Sequence, residues 1–336
     1  MNIRKRTILT AVSYLSLCVA GTAYAQNSDV SPSFNLKVGP SYTNTKLSSG
    51  SAMTVNGDNL IVVGDDTPWL FTVNDDYQIT GKNKIANYPV NKQGRVDHKI
   101  KPDFESMTSL KYEGKDYYLV LGSGSKKELR EHAFLISQNG KVENEYSLGK
   151  LYSLLHEKAG FTNKEKINIE GVAASAHKIF IFNRGNEGKN AIFEINLKDF
   201  MTFLKGEHNN LPSLKVYQMT LPAINGVQSC FSGADYWTNT NSIIFTASVE
   251  GNNNSSVNDG AVQGSFVGVL PLADLKQGTP MDMTTYMQEV TKDGKPVITK
   301  LESIAIAAES NHAATGYLVS DNDNGTSQFF TFAIDK

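Results

Sequence analysis

Along most of this chain, short continuous apolar runs alternate with polar clusters instead of recurring at helical spacing. Runs of that length bounded by Gly, Asn, Asp and Ser read as strands buried on both faces. A small motif stands ahead of five of them: Gly50-Ser51-Ala52-Met53-Thr54, Phe104-Glu105-Ser106-Met107-Thr108, Ile169-Glu170-Gly171-Val172-Ala173, Phe231-Ser232-Gly233-Ala234 and Leu301-Glu302-Ser303-Ile304-Ala305. The runs that follow are Leu60-Ile61-Val62-Val63, Tyr117-Tyr118-Leu119-Val120-Leu121, Ile179-Phe180-Ile181-Phe182, Ile243-Ile244-Phe245-Thr246 and Tyr317-Leu318-Val319. After a polar cluster comes a third strand, carried by Phe71, Phe134, Phe193, Phe266 and Phe330 in turn. Fourth strands are predicted over 84–90, 141–148, 214–221 and 296–300.

The fifth copy reaches Lys336 without a fourth strand, while Phe34-Asn35-Leu36-Lys37-Val38 belongs to no copy. An N-terminal strand that completes the last blade closes a ring and removes two sheet edges. The expectation is an all-β fold, a single β-propeller over residues 26–336 with five four-stranded blades, six being the alternative. The copies lie roughly 54 to 70 residues apart, wider than the usual propeller repeat, so insertions are expected. Segments 151–156, 198–204 and 282–287 read as helical insertions.

The first residues follow a different pattern. Arg4-Lys5-Arg6, an apolar stretch from Ile8 to Val19 and a small-residue end at Ala23-Tyr24-Ala25 read as a secretory signal peptide over residues 1–25. The stretch is short for a membrane span, and Leu17 before Cys18 argues against a lipoprotein. Export to the periplasm or the medium follows. Beyond the leader only Cys230 remains, so no intramolecular disulfide forms and Cys230 is expected in the core. Losing Arg4, Lys5 and Arg6, with no acid before Gln26, moves the formal charge from −2 to −5. That balance points away from nucleic acid and anionic lipid. No membrane insertion is expected, and a monomer is.

In a propeller the loop entering each inner strand and the loop joining strands two and three rise on one face. Glu105, Glu170 and Glu302 therefore ring the channel mouth, with Ser51 and Ser232 at the matching places. The mature chain has three arginines, Arg95, Arg130 and Arg184, all in loops on or beside that face. A guanidinium is a planar fork suited to carboxylate or phosphate. Two readings stay open: the arginines meet an anionic ligand, or they pair with the glutamates and lock the blades together.

Calcium is the candidate ion, with Asp65, Asp66, Asp321 and Asp323 as its oxygen ligands if blades one and five bring them together. Asp321-Asn322-Asp323-Asn324-Gly325 lacks the glycine register and closing glutamate of an EF-hand and fits a hairpin tip. The six histidines show no metal-ligand spacing, so zinc is not expected. Ser123 lacks the frame of a nucleophile elbow. The polar stretch 251–260 reads as a long loop.

On Phe104-Glu105-Ser106-Met107, Ile169-Glu170-Gly171-Val172, Leu301-Glu302-Ser303-Ile304, Asn183-Arg184-Gly185-Asn186 and the Ser-Gly loop of blade two, the chain resembles bacterial phytase-like propellers. These are the proteins grouped under "esterase-like activity of phytase", together with an uncharacterised exported propeller family near them. The resemblance covers nearly all of the mature chain and implies the propeller fold. Phytases of this kind hold calcium ions that bind phosphate; their acidic set is not matched here residue by residue.

The leading expectation is an exported propeller that binds a small anionic ligand at its channel face, with calcium as a candidate partner ion. Glu105, Glu170 and Glu302 would supply carboxylates, and Arg95, Arg130 and Arg184 would face the anion. The first alternative is a calcium-dependent phosphoesterase. The second is a cell-envelope scaffold that binds a protein through its rim loops.

Overall fold

A computed structural model describes residues 32–251 and 260–336. The predicted leader and most of the 251–260 loop lie outside the described residues. The strands form five meandering sheets of four main strands each. Blade one holds β2 (Gly50–Asn56), β3 (Asn59–Gly64), β4 (Trp69–Val73) and β5 (Ile79–Lys84). Blade two holds β6 (Phe104–Tyr112), β7 (Lys115–Gly122), β8 (His132–Ser137) and β9 (Val142–Ser147). Blade three holds β10 (Ile169–Ala174), β11 (Lys178–Asn183), β12 (Ala191–Asn196) and β13 (Lys215–Thr220). Blade four holds β14 (Cys230–Trp237), β15 (Ser242–Glu250), β16 (Val262–Pro271) and β17 (Met287–Glu289).

Blade five holds β18 (Leu301–Glu309), β19 (Ala313–Asp321) and β20 (Ser327–Asp335), and its outer strand is the N-terminal β1 (Asn35–Asn44). Leu36 pairs with Ile334 and Val38 with Phe332, so the two ends of the chain close one sheet. The inner strands β2, β6, β10, β14 and β18 touch in that cyclic order and return to β2. The protein is a five-bladed β-propeller.

Five apolar cores fill the five seams between blades. This explains why the second strands are apolar without alternation. Leu60 and Val62 pack toward blade five, whereas Ile61 and Val63 pack toward blade two. Ile179 and Ile181 likewise face blade two, and Phe180 and Phe182 face blade four. A strand with successive side chains on opposite faces must be apolar at every position when both faces are covered. Cys230 is buried and unbonded, as expected. No helix among the described residues is long and apolar enough to cross a membrane.

Three expectations need correction. Segment 282–287 is not helical; it holds a single 3-10 turn, Thr284–Tyr286, and the Asp282 carboxylate just before it accepts from the Thr284 amide at 2.9 Å. Met283 and Met287 imitate helical spacing, but both bury into the seam between blades three and four. Met287–Glu289 then supplies the fourth strand of blade four. Segment 296–300 does not; Lys295–Pro296 forms a two-stranded ribbon with Thr291–Lys292 around the turn at Asp293-Gly294, and proline has no amide to give a ladder. The fourth strand of blade one is Ile79–Lys84, not 84–90, and its half-exposed polar residues carry no apolar signal. The other insertions are helices, α1 (Gly149–Lys158) and α2 (Leu197–Leu204).

If the outer strand of blade five holds the ring shut, removing residues through Asn44 exposes the β20 edge. Thermal melting and size-exclusion chromatography should show a midpoint lowered by about 10 °C or more, with association through the bare edge. A truncated chain that stays monomeric with an unchanged midpoint would show that closure rests elsewhere.

Candidate functional site

The five motifs share a backbone device that sets the site. In each inner strand the pairing register slips just after its start: between Gly50 and Ala52, Phe104 and Ser106, Ile169 and Gly171, Phe231 and Gly233, and Leu301 and Ser303. The skipped residues are Ser51, Glu105, Glu170, Ser232 and Glu302, one bulge per blade. A bulge leaves its extra residue out of the ladder and re-aims its side chain. Ser51 and all three glutamates line a cavity of about 810 Å³ at the channel mouth, to which every blade contributes.

The cavity floor is an array of ion pairs in two halves. In the first, Lys101 bonds to both Asp65 and Asp103, and Arg130 donates to Asp103 at 2.8 Å and to Ser125 at 2.7 Å. Asp103 has a left-handed backbone, φ 57°, a conformation that aspartate tolerates better than most residues. Its amide donates to the Asp65 carbonyl, and its own carbonyl accepts from the Ser123 amide. In the second half Arg184 bridges Glu170 at 2.8 Å and Glu250 at 2.7 Å. Lys300 lies 3.1 Å from Glu250, 3.2 Å from Glu302 and 3.8 Å from Asp323. Asn168 donates to the second oxygen of Glu170 at 2.8 Å.

The first half sets Asp65, Asp103 and Glu105 against two cations, and the second sets Glu170, Glu250, Glu302 and Asp323 against two. The surplus shows in the acidities. Burial alone would raise Asp103 and Glu250, but Lys101 and Arg130 hold the first below the usual range, and Arg184 and Lys300 do so for the second. Burial pushes Glu105 and Glu302 well up, helped at Glu105 by Asp103 and Asp65 and at Glu302 by Glu170. Glu170 is also raised, because burial outweighs Arg184. Of the three bulge glutamates, Glu105 alone has neither a hydrogen bond nor an ion pair among the described residues.

The structure thus gathers Glu105, Glu170, Glu302, Arg130, Arg184, Asp65, Asp321 and Asp323 round one cavity. Arg95 and Asp66 sit outside its lining and pair with each other. Arg184 is 6% exposed, and both of its terminal nitrogens are bonded to carboxylates, so its fork is closed to an outside anion. The four expected calcium ligands do not converge. Among the described residues the acidic group with oxygens within 4.8 Å of one another is Asp65, Asp103 and Glu105, which shares only Asp65 with that set. A resident calcium fits this trio poorly. The Lys101 ammonium already joins Asp65 to Asp103, and three carboxylates fall short of the roughly six to eight oxygens calcium takes.

Sequence reasoning passed over Asp103, Lys300 and Lys101; Glu250 stands in the strand two-to-three loop cluster of blade four, which the sequence already places on this face. A positional signal existed for the first two: Asp103, Asn168 and Lys300 each stand two residues before a bulged glutamate. Lys101 carries no such mark.

The chain belongs to the Family of unknown function (DUF6929), whose model matches residues 46–334. No curated protein matches it in sequence. Among solved structures it is similar to a glutaminyl cyclase from Myxococcus xanthus, at 11% identity and a TM-score of 0.47 over 89% of this chain and 96% of that one. It is also similar to an α-L-arabinofuranosidase from Podospora anserina, at 10% identity and a TM-score of 0.46 over 89% of this chain and 95% of that one. A virginiamycin B lyase from Staphylococcus aureus shows 12% identity and a TM-score of 0.37 over 89% of this chain and 99% of that one. These chains have different activities, and likeness at this level lends none of them to the present protein.

Breaking a buried pair strands its partners, so Arg184→Ala is expected to cost about 3–5 kcal/mol in urea unfolding. Replacing Glu170, Arg184 and Glu250 together by Gln, Met and Gln should recover most of that. A loss below about 1 kcal/mol for the single change would rule out a lock at this seam. Asp321 is a second test. Burial, then Asp65, raises it to about 6, so whatever stability it contributes is complete below its unfolded value and fades as pH climbs through 6. Asp321→Asn should therefore flatten the melting-temperature profile between about pH 4 and 6; an unchanged profile would show that Asp321 titrates normally.

Proposed function

We propose that this protein is an exported binding propeller that takes a small anionic molecule in its channel mouth, on the wall built by blades two and three. The observation that supports this is the clustering of cations there. Lys99, Lys126, Arg130 and Lys166, with His98, line that side of the cavity, against Asp103, Glu105, Glu170 and Glu187. Lys166 is held by Glu187 at 2.8 Å, and among the described residues Lys126 donates to the Lys99 carbonyl and to no carboxylate. The Lys99 ammonium has no partner among the described residues. Like charges gathered at the rim of a cleft raise the local concentration of a counter-ion.

This reading differs from the sequence expectation in its anion contacts, which pass from the arginines to the lysines. The arginines are drawn into the floor by carboxylates. Export rests on the leader read in the sequence. The phosphoesterase alternative loses support because the trio that could hold calcium already holds a lysine.

Calorimetry and thermal shift on residues 26–336 with inorganic phosphate, ethyl phosphate and short carboxylates test the proposal. A ligand at about a hundred times its dissociation constant should stabilise the fold by about 2.7 kcal/mol. Lys99→Glu with Lys126→Glu should weaken binding at least tenfold, and added salt should weaken it in the parent chain. If no anion stabilises the parent, or if charge reversal leaves affinity intact, the proposal is wrong. Release of phosphate from ethyl phosphate would instead favour the enzyme.

A further inference from the structure

Glu105, Glu170 and Glu302 occupy equivalent bulges, and two of them are answered from within the protein. Glu170 receives Arg184 and Asn168, and Glu302 receives Lys300. Glu105 feels the nearby Lys101 charge but has no hydrogen bond or ion pair among the described residues, although it lines the same cavity and one of its oxygens lies within 4.8 Å of one each of Asp65 and Asp103. Asp65 offers a second vacancy: one oxygen is taken by Lys101, while Oδ1 is buried and has no hydrogen-bond partner. A buried acceptor left unmet costs stability, and the two residues, Asp65 and Glu105, both line a cavity large enough for a small molecule.

The charges agree. Lys101 and Arg130 answer two of the three carboxyl groups in this half of the floor, and Glu105 has no cation of its own. Lys99 and Lys126 line the same cavity. The cavity therefore holds a carboxyl group without a paired cation and lysines without a paired anion.

We propose that the ligand is a zwitterion, a small molecule whose primary ammonium group lies against Glu105 and Asp65 while its anionic group faces Lys99 and Lys126. The inference rests on the anion-binding reading above and adds the cationic end. An ammonium group brings three donors and one charge, which suits two vacant acceptors beside an existing lysine. A divalent metal would need more oxygens and would have to expel Lys101. Burial, with Asp103 and Asp65 close by, shifts Glu105 toward its protonated form. An arriving ammonium favours the carboxylate, so binding should release a proton.

The test compares matched pairs on the mature chain by titration calorimetry near neutral pH: 2-aminoethyl phosphate against ethyl phosphate, and taurine against ethanesulfonate. The amine-bearing member should bind at least about tenfold more tightly, the scale of one added charge-assisted hydrogen bond. Its binding heat should vary with the ionisation enthalpy of the buffer. In Glu105→Gln, checked for folding by its melting profile, the preference should collapse toward one and the proton release should vanish. Equal affinity within each pair would overturn the zwitterion while leaving anion binding intact. No binding by either member would overturn both. Calcium chloride alone forms the last arm: calcium binding that is lost in Glu105→Gln, with no amine preference, would show that the vacancy belongs to a metal.

Discussion

Every blade of this propeller is covered on both faces by its neighbours, and that double burial governs where polarity can go. Side chains in the second and third strands meet one of two apolar seams whichever way they point. Burying an unpaired charge there would cost several kcal/mol. Ionisable groups are thereby driven to the outer strands, the rims and the axis. The outer strands of blades one and two take the solvated share, with their half-exposed lysines, asparagines and glutamates. The axis takes the rest.

At the axis the bulges convert a packing constraint into a polar site. Without them the residue after Phe104, Ile169 or Leu301 would stay in register and alternate with its neighbours along the inner strand. The extra residue breaks that alternation at the mouth, and three of five blades place a glutamate there. Loops from neighbouring blades then supply cations. Arg184 of blade three reaches Glu250 of blade four, and Lys300 at the entrance to blade five reaches the same Glu250. The floor thus ties blades together and stores an excess of carboxyl groups over cations. One floor carries both the contacts that tie the blades and the residues of the proposed ligand site, so the two readings are not exclusive.

Membership of a family of unknown function and remote likeness to propellers of unlike activity leave function to be argued from the site. The case here depends on asymmetry. A floor in which every bulge glutamate had a protein partner would be explained by cohesion alone. Glu105 breaks the pattern, and it does so on the side where the lysines converge.

The chain's own pattern determined a good deal: five copies, the two-sided apolar strands, the N-terminal strand in the last blade and the convergence of Glu105, Glu170 and Glu302. These are consequences of local order and strand period, which are written in consecutive residues. It misled at 282–287, where two methionines at helical spacing serve a seam between blades, and at 296–300, where a turn outranked a strand. Tertiary structure alone decided which charges meet. Arg95 turned to Asp66, Arg184 was consumed between two glutamates, Lys101 joined Asp65 to Asp103, and Glu105 was left over. Pairing of that kind depends on distances between loops far apart in the chain and on how deeply each group is withdrawn from water. Neither quantity has a signature in the order of residues.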